Sequence, residues 1–342
     1  MTLFEIRTRK KMTQKEAANC LGLSLRTYAH YEKHEKEIDP LKISTAKERL
    51  SKAGPDRGID FADSCVLITG GTGYLGQEIV KRLLQMGVNT IRILSRDERK
   101  QFDMREKFHN PRLQFFLGDI TDFDSISDAF IGVDYVFHCA AMKQVPSCEF
   151  YPMEAIRVNT FGSNNVMTAC MEHGVKKAVF FSSTKAVYPM NVIGLSKAIE
   201  EKNITARTRS VNSTDTVFSI VRLPNILECD GGVYSLFLSQ VRQGKPITIT
   251  NKKMMRYFVT CDQALNLAFY ALENLEQGQI LVPNVKAIRI SDLARKAMRE
   301  VGEKTEINEI GVRLGERMND RLLTEEEETA KTTCSPFDAY VI

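Results

Sequence analysis

From residue 65 onward, short apolar runs alternate with longer amphipathic stretches. Cys65–Thr69, Thr90–Leu94, Leu113–Leu117, Tyr135–His138, Ala178–Ser182 and Val217–Val221 are runs of strand length with few polar interruptions, the pattern of strands buried on both faces. Leu75–Met86 and Met153–His173 carry helical spacing between them. Such alternation predicts right-handed crossovers and an α/β domain built on a doubly wound parallel sheet.

The pattern before residue 53 is different. Thr13 and Glu16 form a capping box, which starts a helix by satisfying its free amides. That helix presents Ala17, Ala18 and Leu21 and stops at Gly22, which tolerates a left-handed turn. Ser24 caps a second helix, where Tyr28 and Tyr31, three apart, face one core. Small Ala18 lets the two helices cross closely. The organisation expected is a small all-α domain over 1–52 and a linker over 53–60, where Ala53-Gly54-Pro55-Asp56-Arg57-Gly58 supplies turn residues. The α/β domain follows over 61–325, with a small substrate-binding lobe mainly in 223–325, then a C-terminal tail over 326–342. The polar segment Asn203–Asp215 and the acidic-to-polar Thr324–Ser335 show no clear period and receive no role.

Composition adds little except in its distribution. Hydrophobic content of 43% and charged content of 26% are those of a soluble globular protein. The net charge of +4 is uneven: residues 1–57 hold 13 Lys and Arg against 8 Asp and Glu, and the remainder 34 against 35. The basic excess therefore lies where DNA or another polyanion would be met, although a solvated basic face produces the same count. The eight cysteines include no C-x-x-C pair, which reads as reduced, buried thiols in a cytoplasmic protein. No apolar run reaches transmembrane length, so no membrane partner is expected. His30 and His34 share a helix face but lack a third ligand, so no metal is expected.

The chemistry begins after the first strand, at Gly70-Gly71-Thr72-Gly73-Tyr74-Leu75-Gly76. Gly70, Gly73 and Gly76 permit a tight turn, close approach to a pyrophosphate and close helix–strand packing, and the helix opening at Tyr74 and Leu75 offers its amides to the phosphates. This is a Rossmann-type dinucleotide site. Arg96, with Ser95 before it, ends the second strand, where an arginine accommodates the 2′-phosphate of NADP and an acid would bond the ribose of NAD. Asp97 adjoins Arg96, so NADP is the expected cofactor with NAD as the alternative. Asp119 and Ile120 follow the third strand, and Cys139 and Ala140 the fourth; these stretches resemble the extended short-chain dehydrogenases/reductases, and that resemblance implies that the four residues meet the cofactor.

Met12 to Glu32 resembles the phage-repressor (Cro-like) helix-turn-helix family, over roughly residues 3–51. In that family the second helix enters the major groove. The resemblance implies a DNA-binding set of Leu25, Arg26, Thr27 and His30, with Gln14 on the preceding helix. Arg26 would bond guanine, and Leu25 would meet a thymine methyl. One such unit reads few bases, so a homodimer or higher homo-oligomer is expected. A helical bundle used for protein contact is the plainer alternative.

The second domain resembles the extended short-chain dehydrogenases/reductases. Within them it is similar to the UDP-N-acetylglucosamine 4,6-dehydratase (inverting) and capsule-biosynthesis family over residues 60–325. Ser95-Arg96-Asp97-Glu98, Ala140-Ala141-Met142-Lys143-Gln144-Val145-Pro146 and Gly311-Val312-Arg313-Leu314-Gly315-Glu316 carry the likeness. The family's Ser-Thr-Asp-Lys reads Ser182-Ser183-Thr184-Lys185, and its Tyr-x-x-x-Lys reads Ile193-Gly194-Leu195-Ser196-Lys197. The resemblance therefore implies residual catalytic groups at Ser183, Lys185 and Lys197, the last also on the cofactor, with the acid and the phenol both missing. Tyr188 is a candidate substitute for the phenol, or else a packed aromatic. The same likeness places Lys143, Asn225, Arg256, Arg313 and Glu316 around a UDP-amino sugar.

Three functions follow as expectations. The first is a DNA-binding regulator whose domain senses NADP and a UDP-amino sugar with impaired catalysis. The second is an active dehydratase- or epimerase-type enzyme of surface-polysaccharide biosynthesis, and the third a non-catalytic partner of an active paralogue.

Overall fold

The computed structural model describes all residues except 1, 10, 11, 13, 22, 53–58, 60, 208–215, 314, 335 and 336. The chain forms two compact units, residues 1–60 with 332–340 and residues 61–331 with 341–342.

Among its described residues the N-terminal unit has the α-helices α1 (Leu3–Arg9), α2 (Gln14–Leu21), α3 (Leu25–Lys33) and α4 (Pro40–Lys52). Leu3, Ile6, Ala17, Ala18, Leu21, Tyr28, Ile43 and Leu50 close a core between them, with Tyr31 packed at its edge. Ser24 caps α3 by accepting from Thr27 N, as its position before an amphipathic run implies. Glu32 ties three elements together, accepting from Arg7 Nε at 2.6 Å, Gln14 Nε2 at 2.6 Å and Tyr28 OH at 3.2 Å. Thr13 of the expected capping box, Gly22 of the expected helix stop and the proposed linker 53–58 lie outside the described residues.

The second unit is built on parallel strands β1 (Cys65–Thr69), β2 (Thr90–Ser95), β3 (Leu113–Leu117), β4 (Tyr135–His138), β5 (Lys177–Ser183), β6 (Val217–Leu223) and β10 (Ile280–Pro283). They run in the spatial order β10-β6-β5-β4-β1-β2-β3. Thr69, Leu94, His138, Phe180 and Ile220 stand in register across five of them. Between the strands come α5 (Tyr74–Gln85), α6 (Glu98–Phe108), α7 (Phe123–Ser127), α8 (Val145–Phe150), α9 (Pro152–Ile156), α10 (Ser163–Glu172) and α11 (Val192–Arg207). The strand order reverses between β1 and β4, which opens a crevice at the carboxyl ends of the strands.

The expected single helix over Met153–His173 is divided. A π-helical turn over Arg157–Gly162 separates α9 from α10, and it turns Asn159 inward, where the side chain is fully buried. Such turns disturb the helical ladder and are retained where a side chain is needed in an unusual direction.

The lobe combines β7 (Asn225–Ile226), β8 (Ile247–Ile249), β9 (Met255–Val259), β11 (Ala287–Arg289) and β12 (Ile307–Glu309) with α12 (Val233–Arg242) and α14 (Ile290–Val301), while α13 (Cys261–Asn274) covers the main sheet. Tyr234, Phe237, Val241, Ile249, Phe258 and Leu293 fill the lobe's own core.

The described residues of the expected C-terminal tail from 326 include regular secondary structure. Thr324 and Glu327 form a capping box that starts α15 (Glu325–Ala330), and Ile342 exchanges both backbone hydrogen bonds with Ile280. Glu327 also reaches Arg222, whose buried guanidinium donates to Glu201 at 3.0 and 2.7 Å and to Glu327 at 2.8 Å twice. Four consecutive glutamates read as solvated; their pairing with an arginine a hundred residues earlier is not visible in local pattern.

Among the described residues no helix is long and apolar enough to cross a membrane, and no group of three or more His, Cys, Asp or Glu is placed to hold a metal ion.

Candidate functional site

The turn between β1 and α5 is shaped for a phosphate. Gly70 has φ +65°, and a Cβ there would stand 2.7 Å from Ala140 N and Cα, so only glycine fits this approach of β1 to β4. Gly73 begins α5 with no side-chain cap, leaving the helix amides to an anion. Such a cradle fits a nicotinamide dinucleotide.

Beyond β2 the exposed Arg96 guanidinium pairs with Asp119 at 3.3 Å. Burial pushes the Asp119 carboxyl up, but hydrogen bonds from Thr121 and Arg96 outweigh it and hold the group below the ordinary range. Asp97 caps α6, accepting from Lys100 N at 2.9 Å, and pairs with Lys100 Nζ at 3.3 Å.

At the end of β5, Ser183 Oγ accepts from Lys185 N at 3.3 Å and turns the chain. Lys185 lines the cleft. Burial lowers its ammonium below the ordinary lysine value; Asp320 pulls it back up, Arg256 lowers it, and Glu316 raises it. Thr184 is buried behind this turn with its hydroxyl unpartnered. A Cβ at Gly194 would stand 2.3 Å from Lys185 O, so glycine lets α11 touch the Lys185 turn. That contact brings Ile193 and Lys197 of α11 to the same cleft. Ile193 packs with Cys148 and Ala155 and offers no polar atom.

Lys197 Nζ donates to Phe181 O at 2.9 Å and pairs with Glu200 at 2.6 Å. Glu200 is 1% exposed; burial pushes its carboxyl up against the opposing pull of Lys197 and Ser163. Ser163 Oγ stands 2.6 Å from Glu200 and 3.0 Å from His138, whose other ring nitrogen meets Thr69 Oγ1 at 2.7 Å. Burial drives His138 well below its ordinary value, so the ring is neutral. Asn159 completes the backing, accepting from Met142 N at 2.8 Å and donating to Met142 O and Ser196 Oγ. Glu200, His138, Ser163 and Asn159 were not anticipated as site residues. Glu200 follows Lys197 by three positions on one helix and was open to recognition; Asn159 and Ser163 are four apart on successive helical turns, and His138 at the end of β4 reaches Ser163 only through the packing of that helix on the sheet.

One cleft of about 800 Å³ gathers the expected residues, a volume suited to a sizeable ligand. Gly70, Gly73, Tyr74, Leu75, Gly76, Ser95, Arg96, Asp119, Ile120, Cys139 and Ala140 line it, as do Ser183, Lys185 and Lys197. On the lobe side, Lys143, Asn225, Arg256, Arg313 and Glu316 line it too. The Arg256 guanidinium donates to the carbonyls of Met255, Arg317 and Met318, so it also anchors the chain that forms the wall. Lys143 Nζ donates to Cys229 Sγ at 3.4 Å, and Asn225 Nδ2 donates to Tyr257 O. Tyr188 does not line the cleft. It is 44% exposed with φ +46°, and its hydroxyl accepts from Glu325 N at 3.0 Å, so it is no substitute for the phenol. Asp320, also unanticipated, enters the cleft from the segment that Arg256 anchors.

The geometry has counterparts among known proteins. The family model described as polysaccharide biosynthesis protein matches residues 66–340. The UDP-glucose 4-epimerase of Rickettsia canadensis is 43% identical over 271 residues, covering 78% of this chain and 80% of that protein. The solved structure of Pen from Bacillus thuringiensis is 36% identical with a TM-score of 0.79, covering 82% of this chain and 88% of that one. UDP-glucose 4-epimerase of Thermus thermophilus, solved with NAD, shares the fold at 23% identity and a TM-score of 0.65, over 78% and 92% of the two chains. The fold, the glycine cradle and these likenesses agree: the chain belongs to the polysaccharide biosynthesis family of short-chain dehydrogenases/reductases.

Proposed function

We propose that the second unit is an enzyme of epimerase or dehydratase type that binds NADP and a UDP-linked hexose or hexosamine and converts the sugar slowly. The observation that carries this is the convergence of Lys185 and Lys197 on a cleft entered by the glycine cradle. The nicotinamide would supply reversible hydride transfer. Lys185, its ammonium destabilised by burial, is suited to exchange a proton with the sugar, Ser183 holds the turn that carries it, and Lys197 orients the cofactor. Thr184 and Ile193 offer no group that ionises, and each positioned acid or base contributes roughly 10²–10⁴ in rate, so turnover is expected well below the usual ~1–10³ s⁻¹. Incubating the protein with NADP or NAD and UDP-glucose or UDP-N-acetylglucosamine, then following keto-sugar and epimer by NMR, tests this. Turnover in the ordinary range overturns the slow-enzyme reading, and no product of any kind overturns the enzyme reading.

Arg96 favours NADP. Its guanidinium is exposed at the cleft with one long ion pair, while the neighbouring Asp97 carboxylate is taken by Lys100. Arg96→Ala is expected to weaken NADPH binding about 10-fold or more and NADH binding little, because charge-assisted bonds to a phosphate are worth about 1.5–3 kcal/mol. Fluorescence titration with both nucleotides checks it; equal effects would assign Arg96 elsewhere.

A second reading adds DNA binding by the N-terminal unit of a homodimer, making the protein a sugar-nucleotide-responsive regulator. What favours it is α3, which opens with a Ser24 cap and leaves Leu25 50% exposed beside exposed Arg26 and His30. Thr27 is held by Ser24, and the Gln14 amide is already taken by Glu32, so Leu25, Arg26 and His30 carry the proposal. Arg26→Ala should reduce affinity for the cognate duplex about 10-fold in gel shifts at fixed salt. Absence of any salt-dependent DNA binding by the wild type defeats this reading.

A further inference from the structure

Lys197 and Glu200 are withdrawn from water together, with 7% and 1% of their side chains exposed. Lys197 lines the cleft and Glu200 does not, so a ligand reaches the amine and not the acid. An ammonium has three N–H donors. One is given to Phe181 O at 2.9 Å, and Glu200 Oε2 meets the group at 2.6 Å, which leaves one N–H for the cleft.

Glu200 is itself fixed from its far side. Ser163 Oγ donates to Oε1 at 2.6 Å. Asn159 O also lies within 2.8 Å of that hydroxyl, but an ionised carboxylate is the stronger acceptor. A hydroxyl has a single hydrogen to give. The 3.0 Å contact between Ser163 Oγ and His138 Nε2 is therefore filled by the ring's N–H, and Nδ1 accepts from Thr69 Oγ1 at 2.7 Å. His138 is neutral and adds no charge. The adjacent carboxylate of Glu201 is taken by Arg222 at 2.7 Å. Glu200 is thus the counter-charge of Lys197, and a buried ammonium deprived of its anion is strongly disfavoured.

We infer that Glu200 is a positioning residue for the cofactor: it keeps Lys197 charged and aims the remaining N–H into the cleft. The inference rests on the reading above that Lys197 orients the nicotinamide nucleotide, and it names the group that lets Lys197 do so.

The test is fluorescence titration of the full-length protein with NADPH, in a double-mutant cycle of Glu200 and Lys197. Lys197→Met should weaken NADPH about 10-fold or more, the worth of a charge-assisted hydrogen bond. Glu200→Gln is nearly isosteric but uncharged. It should weaken NADPH about as much by itself, yet change the affinity of the Lys197→Met protein by less than about 2-fold. Glu200→Asp keeps the charge on a shorter arm and should lie between wild type and Glu200→Gln. Losses that add in the double variant would mean that Glu200 only supports the fold, and unchanged affinity in Glu200→Gln would leave it no hold on the cofactor. Either result overturns the inference, as does a Glu200→Asp protein no better than Glu200→Gln. Should Glu200→Gln fail to fold, Glu200→Asp takes its place in the cycle, and additive losses or unchanged affinity overturn the inference equally. Wild type that binds neither NADPH nor NADH, or Lys197→Met with wild-type affinity, overturns the cofactor reading and this inference with it. A weakened Lys197→Met beside an indifferent Glu200→Gln overturns the inference alone.

Discussion

Lys185→Ala is expected to lower the rate of UDP-sugar conversion by about 10²–10⁴, the contribution of one positioned proton-transfer group, with little change in cofactor affinity. The reason lies in what surrounds the amine. Thr184 beside it cannot ionise near neutrality, Ile193 has no exchangeable proton, and the Tyr188 hydroxyl is turned to Glu325 N. Lys185 is therefore the cleft amine best placed to move a proton, since Lys197 is committed to Phe181 O and Glu200. Burial disfavours the charged form of Lys185, so its neutral form is reached at lower pH than for free lysine. The wild-type rate should rise with pH as that proton leaves, and Lys185→Ala should lose this limb of the profile. Single-turnover measurement of keto-sugar across pH checks both points; an unchanged rate in the variant removes Lys185 from the chemistry. As the converse, Thr184→Asp restores an acid beside Lys185 and should raise the rate.

Arg222→Ala is expected to destabilise the second unit by about 3–5 kcal/mol, because it strands Glu201 and Glu327 around a buried void. Arg222 is 2% exposed and forks onto both carboxylates while donating to Leu322 O. Replacing all three by apolar residues of similar volume should recover much of the loss, since the pair's attraction mainly offsets its own desolvation. The same cluster sets an acid dependence. Burial pushes the Glu327 carboxyl up, yet Arg222 outweighs it and holds it below the ordinary value of 4.5. A depressed carboxyl stabilises the folded state above its unfolded pKa, and that contribution disappears as pH falls through the folded value. Urea unfolding at successive pH values from 7 downward should show this slope in the wild type and a weaker one in Arg222→Ala. Equal slopes would mean that other carboxylates dominate acid unfolding.

Much of the architecture was legible from residue order. Cys65–Thr69, Leu113–Leu117 and Tyr135–His138 appear as strands with the bounds their apolar runs suggested, and the other three differ at the ends by a residue or two. A run buried on both faces carries its own signal, whatever its neighbours are. The long helix near residue 160 was not so legible, because its period was broken by a single side chain. Asn159 serves the loop at Met142 and the helix at Ser196, and a local pattern holds no record of distant partners. Thr324–Ser335 received no role for the same reason: nothing local to its four glutamates points to Arg222, which the fold places beside Glu327.

The sequence by itself determined the strand–helix alternation, the phosphate cradle, and the absence of an acid at 184 and a phenol at 193, since each is a property of neighbouring residues. Tertiary structure alone decided which polar groups share the cleft and which are already engaged. Arg256, the residue chemically suited to a diphosphate, donates to three carbonyls and pairs at 3.5 Å with Asp320 on the same wall of the cleft. Most of those contacts join residues some sixty positions apart, which only the folded chain brings within reach.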